Sequence, residues 1–294
     1  MADYNKKILI TGAAGLIGRS LFAYLKSLNY NVVGIDNLSR FPNYKGECEN
    51  IDVKTFVDNN KNDFDFIYHL AAINGTSNFY NRPLEVITNN TKTDLSVFDF
   101  AAKNKNCKLV YASTSEVVAG TNIIPTPEIT DITISDVHNS RWSYRHSKIL
   151  SENYLVNSDL NYVIIRFFNL FSEHSGPGHF VYDIIEKIKN KNFEIIGADE
   201  TRSFCYVDDA LPAIVTLGET QENKIFNVGS DEEISILEAA EIIANKFNEY
   251  PKWNCLPGKE GSVRRRCPNL SKLKLVIPDY NPRLFKEVIE CMDI

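Results

Sequence analysis

The first ordered pattern in the chain is a short apolar run, Lys7 to Thr11 (KILIT), that stops at a glycine turn. Such a run, bounded by turn signals, reads as a buried parallel strand. Leu16 to Leu28 follows with apolar residues at helical spacing. Asn31 to Ile35 (NVVGI) predicts a second strand, closed by Asp36, and Phe64 to Leu70 (FDFIYHL) another, leading into Ala71-Ala72. Pro83 to Lys103 predicts a long helix. Lys108 to Ala112 (KLVYA) predicts a strand with a Ser/Thr cluster at its tip. Tyr144 to Val156 is helical in pattern, and Tyr162 to Phe167 (YVIIRF) is a further strand.

Strands alternating with helices predict an α/β fold, a Rossmann-type doubly wound parallel sheet with helices on both faces. Past Asn169 the pattern changes. The segment 172–179 (SEHSGPGH) is polar and turn-rich. Helical stretches follow at 180–190, 235–248 and 282–291, with short strands near 193–196 and 224–228. The expectation is a domain over 1–168 and a smaller, mixed C-terminal region over 169–294, with the chain crossing back near 201–228.

Composition narrows the function classes. The 294 residues are 44% hydrophobic and 24% charged, the balance of a soluble globular protein, and suit one large or two small domains. A formal charge of −6 argues against wrapping nucleic acid. Arg264-Arg265-Arg266 is the one dense basic run; it suits a diphosphate or a solvated surface. The six cysteines form no C-x-x-C pair, and the five histidines lack metal-site spacing, so no metal is expected. Reduced thiols and a cytoplasmic location are the expectation. Lys6-Lys7 lead straight into the first strand without a secretory leader, and no apolar run approaches the roughly 18 residues of a membrane helix.

Gly12-Ala13-Ala14-Gly15-Leu16-Ile17-Gly18 forms a G-x-x-G-x-x-G loop between the first strand and the first helix. Glycine there permits a tight turn and lets backbone approach a pyrophosphate, which the helix N-terminus then faces. Asp36 ends the second strand. A carboxylate at that place accepts hydrogen bonds from adenosine ribose hydroxyls and repels a 2′-phosphate, which favours NAD over NADP. Arg40 nearby works against that preference.

Tyr144 and Lys148 stand four apart and share one helix face. A phenol is a poor base at neutral pH, and a nearby ammonium stabilises its phenolate. A tyrosinate can take a proton from a hydroxyl while hydride leaves the same carbon. With 14 tyrosines in the chain, chance alone supplies about one Y-x-x-x-K. Its place, after the Ser/Thr-tipped strand and before YVIIRF, gives it weight.

Together these segments resemble the extended short-chain dehydrogenase/reductase family, specifically its nucleotide-sugar epimerases, dehydratases and decarboxylases. GAAGLIG, Asp36, Asp52-Val53, HLAA at 69–72, STSE at 113–116, YRHSK at 144–148, RFFN at 166–169, TRSFCYVDD at 201–209 and FNVG at 226–229 fall in family order. The resemblance implies that 1–168 binds NAD and 169–294 the nucleotide sugar. It implies a cofactor site made of Gly12, Gly15, Leu16, Ile17, Gly18, Asp36, Asn37, Asp52, Val53, Leu70, Ala71, Ala72 and Phe167, with Tyr144 and Lys148. Asp52 and Val53 would contact the adenine. Lys148 would also hold the nicotinamide ribose, which Phe167 and Phe168 would approach. Thr76, Asn169 and Arg202 would hold the substrate, with Arg265 or Arg266 closing on its phosphates. A homodimer through helices near 85–103 and 144–157 is implied as well.

The tip Ser113-Thr114-Ser115-Glu116 should supply a hydroxyl to the reacting sugar oxygen. Counting from the strand start selects Thr114; counting back from Gly120 selects Ser115. Thr114 is preferred, because a strand holds geometry more firmly than a loop. Val118-Ala119 stands where the family usually has a tyrosine before the glycine. Glu116 resembles the acid of GDP-mannose 4,6-dehydratases and UDP-glucuronate decarboxylases; the plain alternative is an outward loop carboxylate.

The resemblance thus implies NAD-dependent oxidation at C4 of a guanosine- or uridine-linked hexose or heptose, of the 4-dehydrogenase or epimerase type. Dehydration or decarboxylation using Glu116 are the alternatives. A non-catalytic NAD(H)-binding sensor or scaffold is the alternative of another class.

Overall fold

The computed structural model describes residues 6–61, 63–104, 106–133 and 136–293. The expectation about a leader concerns residues before Lys6, outside the described residues. The chain runs β1 (Lys7–Thr11), α1 (Leu16–Ser27), β2 (Asn31–Asp36), β3 (Glu49–Asn50), α2 (Val53–Asn59), β4 (Phe66–His69), α3 (Thr76–Asn81), α4 (Pro83–Lys103) and β5 (Lys108–Thr114). Two 3-10 turns, Ser115–Val118 and Ser140–Trp142, precede α5 (Ser143–Val156). Then come β6 (Tyr162–Phe167), β7 (Leu170–Phe171), α6 (Phe180–Lys189), β8 (Glu194–Ile196), β9 (Thr201–Ser203), β10 (Cys205–Tyr206), α7 (Val207–Thr220) and β11 (Lys224–Val228). The remainder is β12 (Glu233–Ser235), α8 (Ile236–Lys246), β13 (Asn254–Leu256), β14 (Arg265–Arg266), α9 (Ser271–Val276) and α10 (Phe285–Cys291).

The main sheet has seven strands in the order β11-β6-β5-β4-β1-β2-β3. Every pairing in it is parallel. Alternate residues of each strand feed two cores. Ile8, Ile10, Tyr68, Val110, Val163 and Ile165 pack with α1 and α7. Leu9, Ile67, Leu109, Tyr111 and Ile164 pack with α2, α4 and α5. This period of two explains why β6 is buried at every position: each face has its own helical layer. After β3 the chain crosses to the other side of β1 to form β4. That reversal opens a crevice at the carboxyl ends of β1 and β4.

A third core lies under α6, α8 and α10, with Phe171, Ile195, Phe204 and Ile234 from the small strands. β9 pairs antiparallel with β12 and parallel with β14, which brings Arg202 beside Arg266 in register. β11 returns to the main sheet beside β6.

Four helices were not foreseen from the pattern: α2, α3, α7 and α9. In α7, Pro212 interrupts the sequence signal inside the helix, where it withholds a backbone donor. The helix holds because one face, including Ala210, Leu211, Ile214 and Leu217, is buried against the sheet. β5 runs two residues past the expected Ala112, so the Ser/Thr tip is partly strand. Among the described residues, no helix is long and apolar enough to cross a membrane.

Candidate active site

The glycine loop leaves β1 and enters α1 under tight constraint. Gly12 has φ +73°, and a Cβ on it would lie 2.8 Å from the backbone nitrogen of Ala71. A Cβ on Gly18 would lie 2.1 Å from the carbonyl oxygen of Gly12. Only glycine permits this packing of loop on helix. The first turn of α1, with Gly15 as its N-cap and Leu16, Ile17 and Gly18 following, directs its backbone N–H groups out of the loop. Asp36 folds over the same loop: its carboxylate accepts the Ala14 N–H at 3.1 Å and the Leu38 N–H at 2.7 Å. A cavity of about 460 Å³ nearby is lined by Arg19, Arg40, Phe41, Tyr44 and Lys45. A close-packed glycine cradle, a helix N-terminus and an acid at the end of β2 fit a dinucleotide.

The other expected cofactor residues have different local duties. Asn37 accepts the Ser39 N–H. Asp52 caps α2 by accepting the Lys54 N–H at 2.9 Å, and Val53 is buried behind it. Leu70, Ala71 and Ala72 follow β4, and the Ala71 N–H donates to the Thr11 hydroxyl at 3.3 Å. Phe167 belongs to the core at the end of β6, and Phe168 is fully buried against Gly229. Arg40 bonds Asn74 and the Pro177 carbonyl, tying the loops after β2 and β4 to the turn-rich segment before α6.

Tyr144 and Lys148 both lie on the buried face of α5. The Tyr144 ring stacks on Phe79, centroids 4.9 Å apart and planes 6° apart. Burial pushes the Tyr144 phenol up, as do the Asp94 and Glu116 carboxylates, while Arg40 opposes them. Lys148 donates to the Tyr111 hydroxyl and the Ala112 carbonyl, each at 2.9 Å. Thr114 accepts the Glu116 N–H at 3.2 Å. Ser115 is buried and lines a small cavity with Gly120, Phe168 and Arg266.

Glu116 does not face outward. It is 6% exposed, and its Oε1 accepts from Arg141 at 2.7 Å and meets Arg266 at 2.9 Å. Burial alone would raise its carboxyl; the two guanidiniums overcome that and hold it down at about 2. Its second oxygen, Arg141 Nη1 and Arg266 Nε are buried without a partner among the described residues. Arg145 lies in the same field. Arg202 bonds Glu200 at 2.8 Å, and burial together with Arg266 lowers it to about 10.

The two arginines of β14 part company because successive strand residues point to opposite faces. Arg266 enters the site. Arg265 turns to the surface and pairs with Glu233 at 2.7 Å. Thr76 opens α3 on the exposed side of the crevice, after Gly75. Asn169 takes φ +43° and donates to the Ser203 carbonyl at 2.8 Å.

Sequence reasoning missed Arg141, Arg145 and Asp94. The two arginines lie in or beside a loop-like stretch with no periodicity to mark them as buried. Asp94 did carry a signal. Val86, Asn90, Asp94, Val97 and Ala101 form the buried stripe of α4, and a carboxylate on such a stripe needs a partner.

Comparison with known proteins agrees with this geometry. The family model described as "NAD dependent epimerase/dehydratase family" matches residues 8–229, from β1 through β11. A UDP-N-acetyl-alpha-D-glucosaminuronate decarboxylase of Bacillus cytotoxicus is 30% identical over 92% of this chain and 91% of its own. UDP-glucuronic acid decarboxylase 1 of Danio rerio is 28% identical over 93% of this chain and 68% of its own. The UDP-glucose 4-epimerase of Thermotoga maritima shares the fold, with a TM-score of 0.85, 21% identity and 97% of each chain covered. The protein is an enzyme that uses NAD, and the chain belongs to the NAD-dependent epimerase/dehydratase family.

Proposed function

We propose that the enzyme oxidises C4 of a uridine diphosphate-linked sugar and that the sugar is a uronate, which then loses its carboxylate. The observation that carries this reading is the buried Glu116 held between Arg141 and Arg266. Arg141, Arg145, Arg202 and Arg266 face two carboxylates, Glu116 and Glu200, in this part of the molecule. That surplus of positive charge suits an anionic sugar and its diphosphate. The decarboxylases among the relatives support the same substrate class.

Bound NAD supplies a hydride acceptor at C4 and later returns the hydride. Tyr144 takes the C4 hydroxyl proton, with Thr114 or Ser115 sharing a hydrogen bond to that oxygen. The C4 ketone is then β to the C6 carboxylate. Breaking the C5–C6 bond releases carbon dioxide and leaves its electron pair in an enolate across C5, C4 and oxygen. Tyr144 hydrogen-bonds that oxygen, C5 takes a proton from solvent, and Tyr144 gives its proton back to the C4 oxygen as hydride returns to C4. A Glu116 held ionised is poorly suited to donate the C5 proton; it orders the two arginines around the sugar.

A second reading, C4 epimerisation, is favoured by the shared fold of the 4-epimerase. A non-catalytic sensor is disfavoured by the buried, ordered Tyr144 and Lys148. We also propose a homodimer through α4 and α5, which expose Leu84, Ile87, Leu150, Tyr154 and Val156. A cytoplasmic setting is supported by six unpaired cysteines.

The test is incubation with NAD and a panel of UDP-uronates and neutral UDP-sugars, read by mass spectrometry. Loss of carbon dioxide from a uronate is expected. Loss of water would indicate a dehydratase, loss of hydrogen a dehydrogenase, and an inverted stereocentre at constant mass an epimerase. Binding of NAD with no turnover of any sugar would overturn the enzymatic reading.

A further inference from the structure

Beneath Lys148, in the floor of the cofactor crevice, lies a closed set of polar groups centred on Asp94. The Asp94 side chain is fully buried in the middle of α4. From β4, His69 Nε2 lies 2.9 Å from Oδ1. From β5, the Tyr111 hydroxyl donates to Oδ2 at 2.5 Å. From α5, the Ser151 hydroxyl donates to Oδ2 at 2.6 Å, and Lys148 Nζ stands 3.8 Å from the same oxygen. His69 Nδ1 meets the Thr11 hydroxyl at 2.6 Å, and that hydroxyl accepts from Ala71 behind the glycine loop.

The hydrogen-bond directions are mutually consistent. Thr11 donates to Nδ1 of His69, which leaves Nε2–H for Asp94. Lys148 donates to Tyr111, and Tyr111 donates onward to Asp94. Donors from three elements converge on one carboxylate, so it is a pure acceptor, the form expected of an ionised acid. A buried anion needs a buried cation. The other acid near Lys148, Glu152, is already engaged: it takes Arg166 at 2.9 and 2.6 Å and the Ser113 hydroxyl at 2.5 Å. Asp94 is left as the counter-ion of Lys148.

We propose that Asp94 is a positioning residue for the reaction, which keeps the buried Lys148 as an ammonium and aims it through Tyr111 at the cofactor ribose. The proposal rests on the reading above in which Lys148 touches the cofactor. Its electrostatic consequences have definite signs. Burial pushes the Lys148 ammonium down, and Asp94 opposes that. Lys148 in turn holds the Asp94 carboxyl down. Asp94 also raises the Tyr144 phenol, together with Glu116 and against Arg40. Removing the Asp94 charge therefore lowers both the lysine and the tyrosine. Loss of packing alone would let water in and raise the lysine, so the lysine separates the two causes.

The test needs no sugar substrate. NADH affinity is measured by fluorescence from about pH 6 to about pH 9 for wild type, Asp94→Asn, Lys148→Met and the double variant. Wild type is expected to hold its affinity across that range. Asp94→Asn is expected to weaken as pH rises, by roughly tenfold, as Lys148 loses its proton. Lys148→Met is expected to bind weakly and without pH dependence, and the double variant to match it. If Lys148→Met binds NADH as wild type does, the cofactor role of Lys148 fails, and the proposal falls with it. If Lys148→Met is weakened while a folded Asp94→Asn keeps the wild-type profile, only the proposal is overturned. If Asp94→Asn does not fold, recovery of folding in the double variant supports the pairing, since removing both buried charges relieves what removing one creates. Equal failure of the single and double variants would make Asp94 a structural residue and overturn the proposal.

Discussion

Arg266 meets Glu116 at 2.9 Å, and this contact joins the strand tip at the end of β5 to the small sheet of the C-terminal region. Arg266 and Arg141 share one Glu116 oxygen and together hold its carboxyl well below the usual carboxylate range.

Substituting Glu116 should therefore cost stability in a pH-dependent way. The Glu116 carboxyl is depressed from its ordinary 4.5 to about 2. A depressed acid contributes stability above its unfolded value and loses it as pH falls through the folded one. Glu116→Gln is expected to be less stable than wild type by on the order of 3 kcal/mol near neutrality. The gap should shrink as pH falls from about 4.5 to about 2. Urea unfolding at a series of pH values measures it.

Tyr144→Phe should lower turnover by roughly 10²–10⁴-fold while NADH binding is retained. Because burial, Asp94 and Glu116 raise the phenol, wild-type activity should climb toward alkaline pH. Arg40 is the cation that opposes the rise. Arg40→Met should move the climbing limb of the kcat profile to higher pH. An unmoved limb would remove Tyr144 as the titrating group.

Asp36→Ala should relax the choice between cofactors. The carboxylate now repels a ribose phosphate, while Arg19, Arg40 and Lys45 line the adjacent cavity and would attract one. A fall of about tenfold in the ratio of NADP to NAD dissociation constants is expected. Titration of both cofactors gives the ratio.

Gly18→Ala and Gly15→Ala should differ. A methyl at 18 would sit 2.1 Å from the Gly12 oxygen, while one at 15 would sit 3.1 Å from it. Gly18→Ala is expected to lose about 1–3 kcal/mol of stability and most of its NAD affinity. Gly15→Ala should be milder on both counts. Thermal melting with and without NAD compares them.

Leu150→Glu combined with Tyr154→Glu should yield a monomer. Both side chains are exposed on α5, at 52% and 41%, on a face with one-turn spacing. Sedimentation at several concentrations tests the dimer. If wild type is itself a monomer, the dimer proposal fails.

The strands and long helices were legible because their cause is local. KILIT, YVIIRF and the run 83–103 carry the period of their own backbone, and the glycine loop announces its turn by residue type. That Asp36 ends β2 and that Tyr144 and Lys148 share the buried face of α5 was legible by spacing from those landmarks. α7 was not, because Pro212 breaks the local signal and only burial against the sheet restores the helix. Nor could the chain alone decide between an outward and a caged Glu116, or between Arg265 and Arg266. Those choices depend on which strand face turns inward once β14 pairs with β9. Asp94 lies between the two cases. Its place on an apolar stripe marks it as buried, but its partners come from β4, β5 and α5, and only the folded sheet brings them together. Local periodicity determines elements; the charge state of a buried site is decided by distant residues, because desolvation makes every missing partner costly.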